Sequence, residues 1–65
     1  MKRTFRVGQV ATIRTITEAD KEHYPELSVG DKGVIEKVFQ FHVALSIDGK
    51  WYGMEKFQLE LEEAT

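Results

Sequence analysis

Phe39, Phe41, Val43, Leu45 and Ile47 alternate with Gln40, His42, Ala44 and Ser46, the cleanest period-two pattern in the chain. Such alternation predicts a strand whose first set faces a core, Phe39 and Phe41 included, and whose second set faces out. Asp48-Gly49 follows at once. That dipeptide favours a type I′ turn, which needs positive φ at both central residues. The segment Lys50 to Met54 is therefore predicted to return antiparallel, with Tyr52 and Met54 inward and Trp51 and Gly53 outward. Phe57, Leu59 and Leu61 then alternate with Gln58, Glu60 and Glu62, predicting a short last strand with an apolar face and a carboxylate face. Glu55-Lys56 is a brief connection of 3₁₀ character between the two.

The first half is less regular. Phe5 to Ile16 is rich in β-branched residues, which suit a pleated, half-buried surface, and Gly8 marks a turn into a first strand over Val10 to Ile16. Ala11 and Ile13 are placed inward, because the opposite facing buries Arg14. Gly30 and Gly33 bracket Asp31-Lys32 as a tight turn, for which glycine supplies positive φ. In the strand that follows, Val34, Ile35 and Val38 cannot share one face of a flat ribbon, so a bulge is expected near Glu36-Lys37. Residues 17–28 form the one long loop. Thr17 and Asp20 have the spacing of a helix start, and Pro25 ends any such turn near Tyr24. A solvated connection is the commoner role for such a segment, although loops of this length often carry function.

Together these elements predict an all-β chain, a small five-stranded barrel in one domain over residues 1–65, with a short 3₁₀ or helical turn in its long loop. A domain of this size buries only about 60% of the surface its unfolded chain exposes. The chain has no cysteine. Disulfides and thiolate metal sites are thereby excluded, and stability must come from packing or from a partner. Lys2, Arg3 and Arg6 resemble the start of a signal peptide, but no apolar stretch follows, and nothing approaches the roughly 20 apolar residues of a membrane span. A cytoplasmic protein without membrane association is expected. Nine basic against eleven acidic side chains, a formal charge of −2, argue against strong nonspecific binding to nucleic acid.

The order Val7-Gly8, a long loop, Pro25 to Ile35 with its glycines at 30 and 33, an alternating strand, Asp48-Gly49-Lys50 and a closing Phe57 to Leu61 resembles small prokaryotic and phage SH3-like barrels. The resemblance covers nearly the whole chain. Within it, Gly30 to Val38 is similar to the glycine-centred KOW motif of some ribosomal and transcription-factor barrels. The resemblance implies a scaffold of phage or bacterial type and leaves its partner open, since such barrels host unrelated functions.

No catalytic constellation stands out. Ser28, Ser46, His23 and His42 lack the spacing of a nucleophile and its base, and no cofactor or metal is expected. Two binding hypotheses follow. In the first, the domain binds a protein partner: an outward Trp51 beside Lys50 is a typical interface anchor, and the SH3-like resemblance implies that the long loop borders the recognition surface, which brings in Tyr24 and Pro25. The alternative for Trp51 is a cap on an open barrel end. In the second, Arg3, Arg6, Arg14 and Lys37 contact phosphates, with Lys50 adding charge and Trp51 or Tyr24 stacking on a base, as in KOW-like RNA binders. The acidic balance favours protein binding. A monomer or weak homodimer, pairing through a free sheet edge, completes the expectations.

Overall fold

A computed structural model describes residues 4–62. Its elements are β1 (Val10–Ile13), α1 (Glu18–His23), β2 (Lys32–Val38), β3 (His42–Ile47), β4 (Lys50–Glu55), a 3₁₀ turn (Lys56–Gln58) and β5 (Leu59–Leu61). The five strands form one antiparallel sheet in the order β4-β3-β2-β1-β5. The protein is therefore all-β, five-stranded, with one long loop between β1 and β2.

Strand parity places the core. Ala11 and Ile13 of β1, Ile35 of β2, Val43 and Leu45 of β3, Tyr52 and Met54 of β4, and Leu59 and Leu61 of β5 are all buried in one cluster. A sheet whose every strand contributes to one cluster must curl around it. Each fully buried aliphatic side chain contributes about 1.5–3 kcal/mol relative to exposure. The long loop takes part too: Leu27 is buried in the same cluster, with Ile16 and Tyr24 packed against it. It is more than a solvated connection.

The turns explain how the sheet bends. Asp48 and Gly49 have φ of 52° and 82°, as a type I′ hairpin requires. The register of β2 against β3 shifts between Ile35 and Lys37, so the expected bulge lets Ile35 and Val38 face inward on either side of it. Thr17 caps α1: its hydroxyl accepts from the Asp20 N–H at 3.2 Å, and the Asp20 carboxylate accepts from the Thr17 N–H at 3.2 Å. The helix stops at Tyr24, next to Pro25.

Four expectations need correction. The first strand ends at Ile13 instead of Ile16: the Arg14 N–H still donates in register to the Gln58 carbonyl at 2.8 Å, but Gln58 belongs to the 3₁₀ turn, and the pairing with β5 stops there. Gly33 does not have positive φ; it is required by close approach, since a Cβ there would lie 2.6 Å from the Ser46 carbonyl oxygen and 2.7 Å from Ile47 Cγ1. Phe39 and Phe41 are not core residues: they are 41% and 70% exposed. The Phe39 N–H donates to the His42 carbonyl at 2.8 Å, so residues 39–41 form the turn into β3 and the alternation begins only at His42. The last correction lies in the 3₁₀ turn, whose Lys56 N–H donates to the Phe41 carbonyl at 3.1 Å. Phe57 is 61% exposed while Gln58 is 1% exposed, because the 3₁₀ turn runs through Gln58 and breaks the period-two facing.

Candidate functional site

Two surfaces gather chemistry, and they lie on opposite faces of β4. The first is the outer face of the sheet. Pairing of Val10 with Val34, Val34 with Ser46 and Ser46 with Trp51 lines these residues up in one row across four strands. Trp51 is 56% exposed. In the next row, Lys37, Ala44 and Gly53, only Lys37 carries a long side chain, and nothing stands within 4 Å of where a Gly53 Cβ would be. In the row beyond, His42 stacks on Phe39 with ring centroids 4.6 Å apart, and the Lys37 ammonium lies 5.7 Å from the Phe39 ring centre. The result is a shallow floor of Ala44, Ser46 and Gly53 with an aromatic group at each end, about 13 Å apart at the usual strand rise.

The second surface is an open cleft of about 610 Å³ between the long loop and the Asp48-Gly49 hairpin. Lys50 Nζ donates to Glu26 Oε2 at 2.9 Å, and the Tyr52 hydroxyl donates to the same oxygen at 2.8 Å. Lys50 also lies 5.3 Å from the Tyr52 ring centre, and Tyr24 meets Tyr52 edge-on at 4.9 Å. Bonds from Lys50, from the Glu26 backbone and from Tyr52 bring the Glu26 carboxyl down to about 2. The same carboxylate raises Lys50 and Tyr52 above their ordinary values. These groups sit at the surface, where solvent and salt screen them, so the cluster positions the loop more than it stabilises the fold. Asp31 and Lys32 also line the cleft, and Lys32 reaches Glu62 at 3.3 Å.

The predicted protein-binding residues are thus divided. Tyr24, Pro25 and Lys50 come together around Glu26, whereas Trp51 projects from the other face, as adjacent residues of a strand must. The basic residues divide as well. Arg6 precedes Gly8, whose N–H donates to the Ile35 carbonyl at 2.7 Å, so it runs toward the Lys37 end of β2. Arg14 lies beyond the other end of β1. Arg3 falls outside the described residues. Among the described residues no three His, Asp or Glu side chains are grouped to hold a metal ion.

Sequence reasoning missed Glu26, Gln58 and the small-residue floor. Glu26 had one available signal: an inward tyrosine at position 52 must find an acceptor for its hydroxyl when buried, and an acidic loop is the nearest source. No family model matches the chain, and neither a curated protein nor a solved structure does.

Proposed function

We propose that the chain is a non-enzymatic interaction domain of SH3-like type that binds a protein partner through the outer face of the sheet, with Trp51 as its anchor. The observation that carries this reading is an indole 56% exposed at the end of a floor made of Ala44, Ser46 and Gly53. Five antiparallel strands curled about one core are what the SH3-like resemblance implies, and they support it. An exposed tryptophan offers a large rigid apolar surface with one hydrogen-bond donor, the profile of an interface hot spot. The floor suits an aliphatic side chain of the partner, held between the indole and the Phe39–His42 stack.

The nucleic-acid reading has less support. It would use Lys37 and the exposed aromatics, but Glu55 stands opposite His42 on the same face, and Arg14 is at the far end of β1. A phosphate chain along this floor meets a carboxylate where it needs a cation.

The test is affinity capture from a bacterial lysate with the tagged domain and with Trp51→Ala, each with and without nuclease. A protein retained after nuclease and lost with Trp51→Ala, at unchanged circular dichroism and melting temperature, is the expected result. Retention that disappears with nuclease places the nucleic-acid reading first. Unfolding by Trp51→Ala removes the proposed anchor.

A further inference from the structure

β4 is an edge strand of the sheet, and the hydrogen-bonding phase of that edge can be read from its partner. The Lys56 N–H donates to the Phe41 carbonyl at 3.1 Å, which extends the pairing of Met54 with Val43, Tyr52 with Leu45 and Lys50 with Ile47. Main-chain groups of an antiparallel strand alternate in direction. Those of Lys50, Tyr52 and Met54 therefore point to β3, and those of Trp51, Gly53 and Glu55 point away from the sheet. The Glu55 N–H is taken by Gln58 Oε1 at 3.0 Å. Among the described residues, the outward main-chain groups of Trp51 and Gly53 have no hydrogen-bond partner. The edge therefore offers one short segment of donors and acceptors, with an exposed tryptophan at one end and a bare glycine at the other.

We propose that this edge pairs antiparallel with β4 of a second copy of the chain, about a two-fold axis at Tyr52. The register is self-complementary. Trp51 of one copy faces Gly53 of the other, and the axis repeats the contact, so each pair exchanges both of its N–H···O bonds. The side chains of such a pair lie on the same face. Each indole then covers the other copy's Gly53, where a Cβ would meet nothing within 4 Å, an arrangement in which an aromatic compensates for a strand glycine. Charge selects this axis over its neighbour. Centred on Tyr52, the register sets Lys50 of one copy against Met54 of the other, with no like charges opposed within the strand. Centred on Gly53, it would oppose Lys50 to Lys56 and set Trp51 against a Glu55 whose N–H is already bonded.

In this dimer each indole occupies the Gly53 end of the other copy's floor, the space that the partner-binding reading gives to a partner side chain, so dimer and partner compete for that surface, and the pairing does not depend on that reading. A small domain also gains from self-association, because mass action adds to a core limited by chain length.

Sedimentation equilibrium of the whole chain from about 10 µM to about 1 mM spans the affinities expected of so short a ladder. The expected result is a reversible monomer–dimer equilibrium that Gly53→Lys weakens about tenfold or more. Amide exchange of the unmodified chain is the second readout: the Trp51 and Gly53 N–H groups gain protection as concentration rises, while those of the β5 edge do not. A monomer at every concentration overturns the proposal. So does a dimer in which Trp51 and Gly53 exchange as freely as in the monomer, whatever Gly53→Lys does to the fold. Capture of a nuclease-resistant partner by a chain that stays monomeric would leave the partner-binding reading standing and this one refuted.

Discussion

Gln58→Met is the substitution that most directly tests how this fold is held together. The Gln58 amide is buried at the centre of three connections: its Nε2 donates to the Thr15 carbonyl at 3.2 Å and to Asp20 Oδ2 at 2.6 Å, and its Oε1 accepts from the Glu55 N–H at 3.0 Å. One side chain thus ties the exit of β1, the first turn of α1 and the end of β4. Methionine keeps the volume and removes every donor and acceptor. A net hydrogen bond between neutral groups contributes about 1 kcal/mol, and one to a charged group about 1.5 kcal/mol or more. Water can reach Thr15 and Asp20, which holds both at the low end. The lost bonds sum to about 3–4 kcal/mol, and the added apolar burial returns about 1 kcal/mol. The expected loss is about 2–3 kcal/mol, from a domain whose size allows about 3–10 kcal/mol in total. Urea denaturation should show it at unchanged slope, with a melting temperature about 10–20 °C lower.

The same substitution has a signature in acid. Burial pushes the Asp20 carboxyl up, but the bond from Gln58, those from Thr17 and the charge of His23 outweigh it and hold the carboxyl below its ordinary value of 3.8. A carboxylate depressed in the fold stabilises it above the unfolded value, and that contribution is lost as pH falls through the folded value. Without Gln58 the burial effect gains ground, so Asp20 should titrate at higher pH in the variant. The stability gap between the two proteins should narrow below pH 3.8. A loss under about 1 kcal/mol, or an Asp20 titration that does not move on NMR, would show that the buried amide is incidental.

Two more substitutions probe the sheet and the cleft. Gly33→Ala should cost about 2–3 kcal/mol in chemical denaturation, because its Cβ would stand 2.6 Å from a backbone oxygen of β3 that cannot swing aside; a near-neutral result would mean that β2 and β3 separate easily here. Glu26→Gln should bring the Tyr52 phenol and the Lys50 ammonium down toward their ordinary values, read for Tyr52 by ultraviolet absorbance as pH rises through 10. In the unmodified protein the raised Tyr52 and Lys50 favour the fold below their unfolded values and lose that contribution as pH rises through the folded ones. The Glu26 contribution is present above 4.5 and lost on acidification toward about 2; the variant should lose this acid dependence and show a weaker alkaline one, since burial still raises Tyr52.

Where the chain keeps one backbone state over several residues, its side chains could be assigned to faces before any coordinates. Ala11, Ile13, Val43, Leu45, Tyr52 and Met54 all obey strand parity, and the bulge at Glu36-Lys37 was visible because Val34, Ile35 and Val38 broke that parity. Trp51 and Gly53 followed from the same count. The facings that did not hold all sit within a residue or two of an element boundary. Phe39, Phe41 and Phe57 are apolar and fall in phase with a neighbouring strand, yet a turn or a 3₁₀ segment rotates each of them outward. Parity has no information about where the strand begins.

A polar residue is harder still. Gln58 carries no charge to mark it and no hydrophobicity to pull it inward, and it is buried because three segments, up to 43 residues away from it along the chain, present groups that only an amide can satisfy together. Thr15 offers an acceptor, Glu55 a donor, and Asp20 an acceptor that is itself fixed by the Thr17 cap. Each of these is ordinary in sequence and becomes a requirement only when β1, α1 and the 3₁₀ turn meet. The same holds for the proposed partner-binding face: Val10, Val34, Ser46 and Trp51 are spread over the chain, and only the registers of three strand pairs bring them into one row. Local pattern decides which way a residue points, whereas long-range register decides what it meets, and binding depends on the second.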